Sequence, residues 1–279
     1  MGKKILVLGA EGMLGSALSK IFIDYEITNC GRSELDITNK KRVQEKLEQF
    51  KPEIVVNAAA YTDVDKCETN RDLAIKINGD AVKHIAEVCN KIGAFLIYIS
   101  TDYVFNGRKK TGYSENDRTN PINTYGESKL QGEMNLITNS DNHYLIRTSW
   151  LFGFNGKNFV ETIIRLSKEK DEIFVVNDQI GSPTYTLDLA KKIKELIEKK
   201  YESGIYHITN RGTCTWYEFA KEIVRLSKNN CKINSVTTDD FPLPAKRPKC
   251  SILINTKIDK PLRHWKHAIK EYIVERNHA

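Results

Sequence analysis

The chain has 279 residues, of which 40% are hydrophobic and 28% charged, which is typical of a globular protein with one large or two modest domains. Its 43 Lys and Arg exceed its 36 Asp and Glu by seven, but they form no basic stripe with interleaved aromatics. This distribution argues against nucleic-acid binding and suits an anionic substrate. No apolar run approaches the roughly 18 residues of a membrane span, and the first strand begins too early for a signal peptide. We therefore expect a cytoplasmic protein without a membrane partner.

The six cysteines indicate neither a disulfide framework nor a zinc site. They show no paired spacing and no Cys-x-x-Cys motif, so we expect buried or incidental thiols. The pair His264 and His267 lacks a third ligand nearby and is expected on a solvated helix face. The sequence predicts no metal site.

The first predicted strand, residues 5–8, leads directly into Gly9, Gly12 and Gly15. This spacing suits a tight turn, close approach of the backbone to a pyrophosphate, and close packing of the next helix on the sheet. The helix predicted over residues 13–23 would direct its partly positive N-terminus at the phosphates. We predict a dinucleotide site here; the alternative is an ordinary glycine-rich turn.

Strand-like runs then alternate with helical patterns, which predicts an α/β fold with a Rossmann-like, doubly wound parallel sheet. Capping-box patterns at Thr124 and Thr215, each followed three residues later by Glu, predict two helix starts. The predicted strands are residues 5–8, 26–29, 54–57, 94–100, 144–147 and 173–176.

The alternation changes after Val176. A helix is predicted over residues 186–200, a strand over 204–208, then another helix and a proline-rich stretch. We interpret residues 1–176 as a dinucleotide-binding domain that also carries the catalytic residues. Residues 177–279 form a smaller C-terminal α/β lobe for substrate, and the chain is allowed to cross between the two more than once.

The end of the second strand bears on cofactor choice. An acidic residue there would bind the ribose 2′-hydroxyl of NAD, whereas this chain has Arg32 and Ser33. A cation and a hydroxyl suit a 2′-phosphate and favour NADPH over NADH; the alternative for Arg32 is an exposed turn residue. Asp36 comes too late in the sequence to decide this.

Polar residues follow the fourth predicted strand, where Thr101 and Asp102 would face the ligand crevice. Four residues apart on a predicted helix, Tyr125 and Lys129 share one face. A nearby cation favours phenolate, so Lys129 would bring the pKa of Tyr125 closer to the range of a general acid or base. The hydroxyls of Thr101 and Tyr125 would together hold a carbonyl oxygen. The alternatives are a turn-capping Thr/Asp pair and an ordinary surface helix.

The order of glycine turn, strand-end hydroxyl and Tyr/Lys pair is similar to that of the extended short-chain dehydrogenase/reductase superfamily. Within it, the chain resembles the dTDP-4-dehydrorhamnose reductase family from Lys3 to about Trp265. Five segments carry the closer resemblance: residues 56–66 (VNAAAYTDVDK), 100–105 (STDYVF), 147–150 (RTSW), 177–184 (NDQIGSPT) and 215–216 (TW).

The resemblance implies a role for each matching residue. Tyr125 would deliver the proton, Lys129 would tune it and anchor the nicotinamide ribose, and Thr101 would hold the sugar carbonyl. Asp102 and Trp150 would contact the sugar. The residues placed around the dinucleotide are Gly12, Met13, Leu14, Asp36, Ile37, Ala58, Ala59 and Ala60.

The activity implied is NADPH-dependent reduction of the C4 carbonyl of a dTDP-linked 4-keto-6-deoxyhexose, dTDP-4-dehydro-L-rhamnose, to dTDP-L-rhamnose in polysaccharide biosynthesis. NADH remains an alternative cofactor. Some members of the family hold magnesium with glutamates at a dimer contact, but the matching positions here are Ala17 and Leu187. The sequence leaves open whether the chain forms a homodimer.

Two other functions fit the same sequence. One is a nucleotide-sugar epimerase or dehydratase that retains NAD, although the glutamate of a dehydratase does not follow Asp102. The other is a non-catalytic, cofactor-binding subunit resembling the regulatory subunit of methionine adenosyltransferase; the trio Thr101, Tyr125 and Lys129 argues against it. Finally, Arg247 either pairs with the substrate diphosphate or lies on a solvated basic turn.

Overall fold

The computed structural model describes residues 3–278, and within them the apolar runs form a six-stranded parallel sheet in the order β10-β5-β4-β3-β1-β2. The Rossmann-like α/β fold is thereby confirmed. The strand order reverses between β1 and β3, and ligands bind beyond the carboxyl ends of strands at such a point. The strands are β1 (Lys4–Leu8), β2 (Glu26–Cys30), β3 (Ile54–Asn57), β4 (Phe95–Thr101), β5 (His143–Thr148), β6 (Leu151–Phe152), β7 (Glu172–Val176), β8 (Ile180–Gly181), β9 (Thr184–Tyr185), β10 (Gly204–His207), β11 (Cys214–Thr215) and β12 (Lys232–Val236).

Helices cover both faces of the sheet, as a doubly wound fold requires. Successive residues of β1 point to opposite sides, so Ile5 and Val7 enter one apolar layer while Leu6 and Leu8 enter the other. The helices are α1 (Met13–Ile21), α2 (Lys40–Phe50), α3 (Val64–Thr69), α4 (Arg71–Ile75), α5 (Ala81–Ile92), α6 (Thr124–Asn139), α7 (Phe159–Glu169), α8 (Thr186–Lys199), α9 (Trp216–Ser227) and α10 (Trp265–His278), with a π-helical segment at Lys76–Asp80 and a 3-10 turn at Asp102–Val104.

Two strands lie on a different sheet from the one that their position in the sequence indicated. β10 belongs to the segment predicted as the smaller lobe, yet it pairs in parallel with β5 and forms an edge of the main sheet. Conversely, β7 pairs with β12 in a separate two-stranded sheet. The chain therefore crosses between the main sheet and the outer elements more than once.

The two predicted capping boxes have different outcomes. At α9 the prediction is confirmed, because Thr215 accepts from the Glu218 amide and the Glu218 carboxylate accepts from the Thr215 amide. At α6 it is wrong. The N-cap is Asn123, whose side chain accepts from the Gly126 amide, while the amide and hydroxyl of Thr124 donate to Glu68.

The described residues include six free cysteines, five of them buried, which confirms the expectation of buried or incidental thiols. No helix within residues 3–278 is both long and apolar enough to cross a membrane. In the same range no three His, Cys, Asp or Glu side chains cluster as a metal site would require. His264 is half-buried against Trp265 and lies just before α10. His267 is exposed on that helix, so the prediction of a solvated helix face holds for His267 but not for His264.

Candidate active site

The glycine turn after β1 packs closely against the residues that follow β3. Gly9 has a φ of 74°, and a Cβ there would lie 2.6 Å from the Ala59 amide nitrogen. Only glycine fits this left-handed, crowded position. Gly12 caps α1 without a side chain, so no side chain caps the first amides of the helix.

A cavity of about 470 Å³ lies beyond the carboxyl ends of β1, β2 and β3. Its walls combine small residues from the end of β3 with charged residues that follow β2. Eight of the predicted cofactor residues line it: Gly9, Gly12, Arg32, Asp36, Ile37, Ala58, Ala59 and Ala60. Ser33 is exposed and does not line this cavity, whereas Thr38, Tyr61 and Lys76 do and were not predicted.

A second cavity, of about 410 Å³, adjoins the first and shares Gly12, Ala58 and Ala60 with it. It extends past the ends of β4 and β5 to the start of α9. The predicted residues that it brings together are Gly12, Met13, Leu14, Ala58, Ala60, Thr101, Asp102, Tyr125, Lys129 and Trp150. Gly15 packs beneath the glycine turn instead, against the Gly9 carbonyl oxygen.

The two adjoining cavities fit a nicotinamide dinucleotide. The amides at the start of α1, which no side chain caps, suit a pyrophosphate, and the small residues 58–60 allow a ligand to lie against the backbone. Arg32 and Lys76 supply cations in the first cavity, and the polar trio Thr101, Tyr125 and Lys129 lies in the second.

Lys129 lies deep in the structure, and its amino group donates to the Ile99 carbonyl oxygen at 2.7 Å. Burial lowers the pKa of Lys129 to about 7, and the nearby carboxylate of Glu133 partly opposes this shift. The amino group also lies 4.2 Å from the centre of the Tyr98 ring. The Lys129 side chain is thus held by its contacts with Ile99 and Tyr98 of β4, and Glu133 of its own helix lies nearby.

The pKa of Tyr125 is raised, in the opposite direction to the one that the sequence indicated. Burial of the phenol is the main cause, and a hydrogen bond with the Thr101 hydroxyl opposes it. Desolvation disfavours the phenolate and outweighs the lowering that a neighbouring cation was expected to cause.

Asp102 is buried beside the Thr101 hydroxyl, which donates to its Oδ1 at 3.0 Å. Burial raises the pKa of Asp102 to about 7, against the effect of hydrogen bonds from Ser251 and Thr101. Asp102 is among the residues that line the second cavity.

Trp150 lines the second cavity, but one face of its ring is covered by Trp216. The two rings are parallel within 8°, with centroids 3.5 Å apart. Trp216 was not assigned a role from the sequence, although it directly follows the capping residue Thr215. Its position at a predicted helix start is the sequence signal that could have pointed to it.

Arg247 does not line either cavity. Its guanidinium donates to both carboxylate oxygens of Asp65, at 2.6 and 2.7 Å, and only 13% of its side chain is exposed. The predicted contact with a diphosphate stays a prediction. Lys157, which is exposed and lines the second cavity, is a cation that sequence reasoning missed.

A buried ion pair beneath this cavity was also missed. Arg147 donates to both oxygens of Glu133, from Nε at 2.9 Å and from Nη2 at 2.7 Å, and Ser100 donates to the same carboxylate at 2.5 Å. Together with Ser100, the pair joins β4, β5 and α6; β4 carries Thr101, α6 carries Tyr125, and Trp150 follows the end of β5.

The sheet topology and the glycine turn define an α/β dinucleotide-binding protein of the extended short-chain dehydrogenase/reductase superfamily. A family model described as the RmlD substrate binding domain matches residues 3–277. The chain belongs to this family, that of the dTDP-4-dehydrorhamnose reductases, which confirms the resemblance read from the sequence.

Individual relatives agree along nearly the whole chain. The chain is 41% identical over 281 residues to the spore coat polysaccharide biosynthesis protein SpsK of Bacillus subtilis (strain 168), covering 99% of each. It is 40% identical to the dTDP-4-dehydrorhamnose reductase of Aggregatibacter actinomycetemcomitans, covering 96% of this chain and 97% of that protein. The crystal structure of dTDP-4-dehydrorhamnose reductase from Bacillus anthracis str. Ames in complex with NADP superposes with a TM-score of 0.96 at 40% identity, over 99% of this chain and 100% of that one.

Proposed function

We propose that this protein reduces the C4 carbonyl of dTDP-4-dehydro-L-rhamnose with NADPH, giving dTDP-L-rhamnose for polysaccharide biosynthesis. The observation that carries the proposal is the placement of Thr101, Tyr125 and Lys129 in one cavity of a chain that belongs to the dTDP-4-dehydrorhamnose reductase family. Reduction of a ketone needs a hydride at carbon and a proton at oxygen. The trio Thr101, Tyr125 and Lys129 would supply the proton.

The hydroxyls of Thr101 and Tyr125 would hold the carbonyl oxygen. They lie together in the second cavity. The Thr101 hydroxyl, which donates to Asp102 in this structure, would turn to the carbonyl oxygen when the substrate binds. Two donors there stabilise the negative charge that develops on that oxygen, and burial strengthens their effect.

Tyr125 would then give its proton to the oxygen. Because burial raises the pKa of Tyr125, the phenol is protonated before the reaction and suited to act as the acid. Lys129 has a pKa of about 7 and so can gain and lose a proton near neutral pH. It would pass a proton from solvent to the Tyr125 phenolate and restore the phenol. When bound, NADPH supplies the hydride to the carbonyl carbon.

The first cavity would hold the adenosine half of the cofactor. The amides at the start of α1 suit its pyrophosphate, and Arg32 suits a 2′-phosphate. Asp36 lines the same cavity, so an acceptor for an unphosphorylated ribose is also present and NADH remains a second cofactor for this site.

The distribution of lining residues supports the division of the chain between cofactor and substrate. The first cavity is lined by residues 9–77 alone, all within residues 1–176, whereas Trp216 reaches the second cavity from residues 177–279. We propose on this basis that the smaller lobe completes the substrate site. A cytoplasmic location belongs to the same proposal, since nucleotide substrates and NADPH are found there; cell fractionation tests it.

The decisive experiment follows absorbance of the reduced nicotinamide when purified protein meets NADPH and dTDP-4-dehydro-L-rhamnose. We expect oxidation that depends on both, with dTDP-L-rhamnose as the product. NADPH binding without oxidation would favour a cofactor-binding subunit, and NAD that copurifies with the protein and is not exchanged would favour an epimerase. Either result would contradict the reductase.

A further inference from the structure

The stacked pair Trp150 and Trp216 forms one wall of the cavity that contains Thr101 and Tyr125. Both indoles are half-buried, so each keeps surface toward the cavity. Because the two rings cover each other, the pair borders the cavity with the indole surface that the stack leaves uncovered. That surface is apolar and suits an apolar part of a ligand, such as a methyl group.

Trp150 does not hold this position by itself. Its φ of 48° lies in the left-handed region, which costs free energy for a bulky side chain. A Cβ at Gly181 would lie 2.5 Å from Cε2 of the indole, so the neighbouring strand leaves no room for the ring to shift in that direction. The parallel contact with Trp216 covers the ring from another side.

Trp216 is fixed on a rigid element. It is the first residue of α9, directly after the capping box formed by Thr215 and Glu218. The Thr215 hydroxyl also donates to Asn177 at 2.8 Å, which ties this helix start to the segment after β7. Phe159 packs against the Trp216 ring with centroids 4.5 Å apart. A binding residue on a helix start of this kind is held more accurately than one on a loop.

We propose that Trp216 is a specificity-determining residue for the sugar: beside Trp150, for which the family resemblance already implies a sugar contact, it extends the apolar wall that meets the methyl group of the 6-deoxyhexose. The inference rests on the proposed function and deepens it. A wall of two indoles accepts the C6 methyl of a 6-deoxy sugar, whereas a C6 hydroxyl would lose hydrogen bonds to water on entering it. The smaller lobe thereby contributes directly to sugar recognition.

The test measures binding of two probes that differ only by the sugar, dTDP-L-rhamnose and dTDP, to the full-length protein. For Trp216→Leu we expect the affinity for dTDP-L-rhamnose to fall by about three- to tenfold, the range of an aromatic contact, while affinities for dTDP and NADPH stay within about twofold. Trp216→Phe keeps an aromatic ring and should recover part of the loss. In turnover, KM for the keto sugar should rise more than kcat falls.

Tyr217→Leu is the matched control. Tyr217 is the next residue of α9, is also half-buried, and lines a different cavity, so its substitution should leave both sugar and cofactor binding unchanged. Unfolding temperatures of the variants show whether each is folded. If Trp216→Leu is too unstable to assay, the loss expected of Trp216→Phe, smaller and still confined to dTDP-L-rhamnose, carries the test.

Three results would overturn the inference: unchanged affinity of the folded Trp216 variants for dTDP-L-rhamnose, an equal loss for dTDP, or an equal loss for NADPH. Failure of the proposed function looks different. In that case the unsubstituted protein itself would neither bind dTDP-L-rhamnose nor oxidise NADPH with the keto sugar.

Discussion

Asp102 and Lys129 are an acid and a base whose pKa values are shifted in opposite directions to about 7. The physical cause is the same, because burial disfavours the charged form of either group. Both line the cavity that contains Tyr125, so the protonation of this cavity changes close to neutral pH. A pair of titratable groups in one cavity is a frequent property of sites that transfer protons.

At the same scale, replacement of the phenol of Tyr125 tests its role as the acid. We expect Tyr125→Phe to lower kcat by at least about 100-fold, the usual contribution of a positioned proton donor. NADPH affinity should change little. Stopped-flow or steady-state NADPH oxidation measures the effect, with Tyr217→Phe as a control outside the cavity. A Tyr125→Phe protein with near-normal kcat would remove Tyr125 from the mechanism.

The raised pKa of Asp102 predicts the direction in which the free energy of unfolding changes with pH. Between about pH 4 and pH 7 the folded state keeps a proton on Asp102 that the unfolded state has released, so the free energy of unfolding falls as pH rises through this range. Asp102→Asn lacks this titration. We expect its stability relative to the unsubstituted protein to increase by up to about 1.4 kcal/mol per pH unit across the range and then level off.

Urea denaturation of both proteins at several pH values measures this difference. Asp239→Asn, the same replacement at an exposed position, provides the control. A flat difference for Asp102→Asn would show that Asp102 is ionised in the folded protein throughout.

At the scale of elements, α6 and α9 show how a helix start is chosen. At both helix starts a Thr is followed three residues later by a Glu, but only Thr215 forms the capping box. In α6 the preceding Asn123 takes the capping position, and Thr124 bonds to Glu68 of α3. The capping pattern is therefore local, while its outcome depends on which side chains the fold brings nearby.

The contribution of the α9 capping box to the stability of the protein can be measured. We expect Thr215→Ala to lower the free energy of unfolding by about 1 kcal/mol, because the amide of Glu218 loses its acceptor. Thermal or urea unfolding measures it. Thr213→Ala, at an exposed position two residues earlier, should have little effect. Equal effects of the two substitutions would contradict the role of the cap.

At the scale of the whole molecule, the buried pair Arg147–Glu133 connects the main sheet to α6. Both side chains are at most 4% exposed. We expect Glu133→Gln to lower the free energy of unfolding by about 3–5 kcal/mol, since it leaves the Arg147 charge buried without its counterion. Urea denaturation checks the value, and intrinsic fluorescence reports whether the variant folds.

The exposed pair Arg165–Glu169 is the matched control, with the same N–O distance of 2.7 Å but side chains more than half exposed. Glu169→Gln should change stability little, because solvent screens a surface pair. If the two substitutions had equal effects, burial would not be what makes the Arg147–Glu133 pair important.

Much of the candidate site could be predicted because its signals are contiguous in the chain. Gly9 and Gly12 follow a strand directly, Thr101 ends another, and Tyr125 and Lys129 are one helical turn apart. The contacts that could not be predicted join distant segments. Trp216 meets Trp150, and Arg247 meets Asp65, across 66 and 182 positions of the chain; no local pattern encodes such a pairing.

By itself the sequence determined the α/β class, the parallel sheet and the position of the glycine turn, because strand hydropathy, helix periodicity and the conformational freedom of glycine act over a few residues. Only the tertiary structure decided that β10 completes the main sheet, that Trp216 covers Trp150, and that the pKa of Tyr125 rises rather than falls. These depend on which groups are packed together and on how much water they lose, and both are set by segments far apart in the chain.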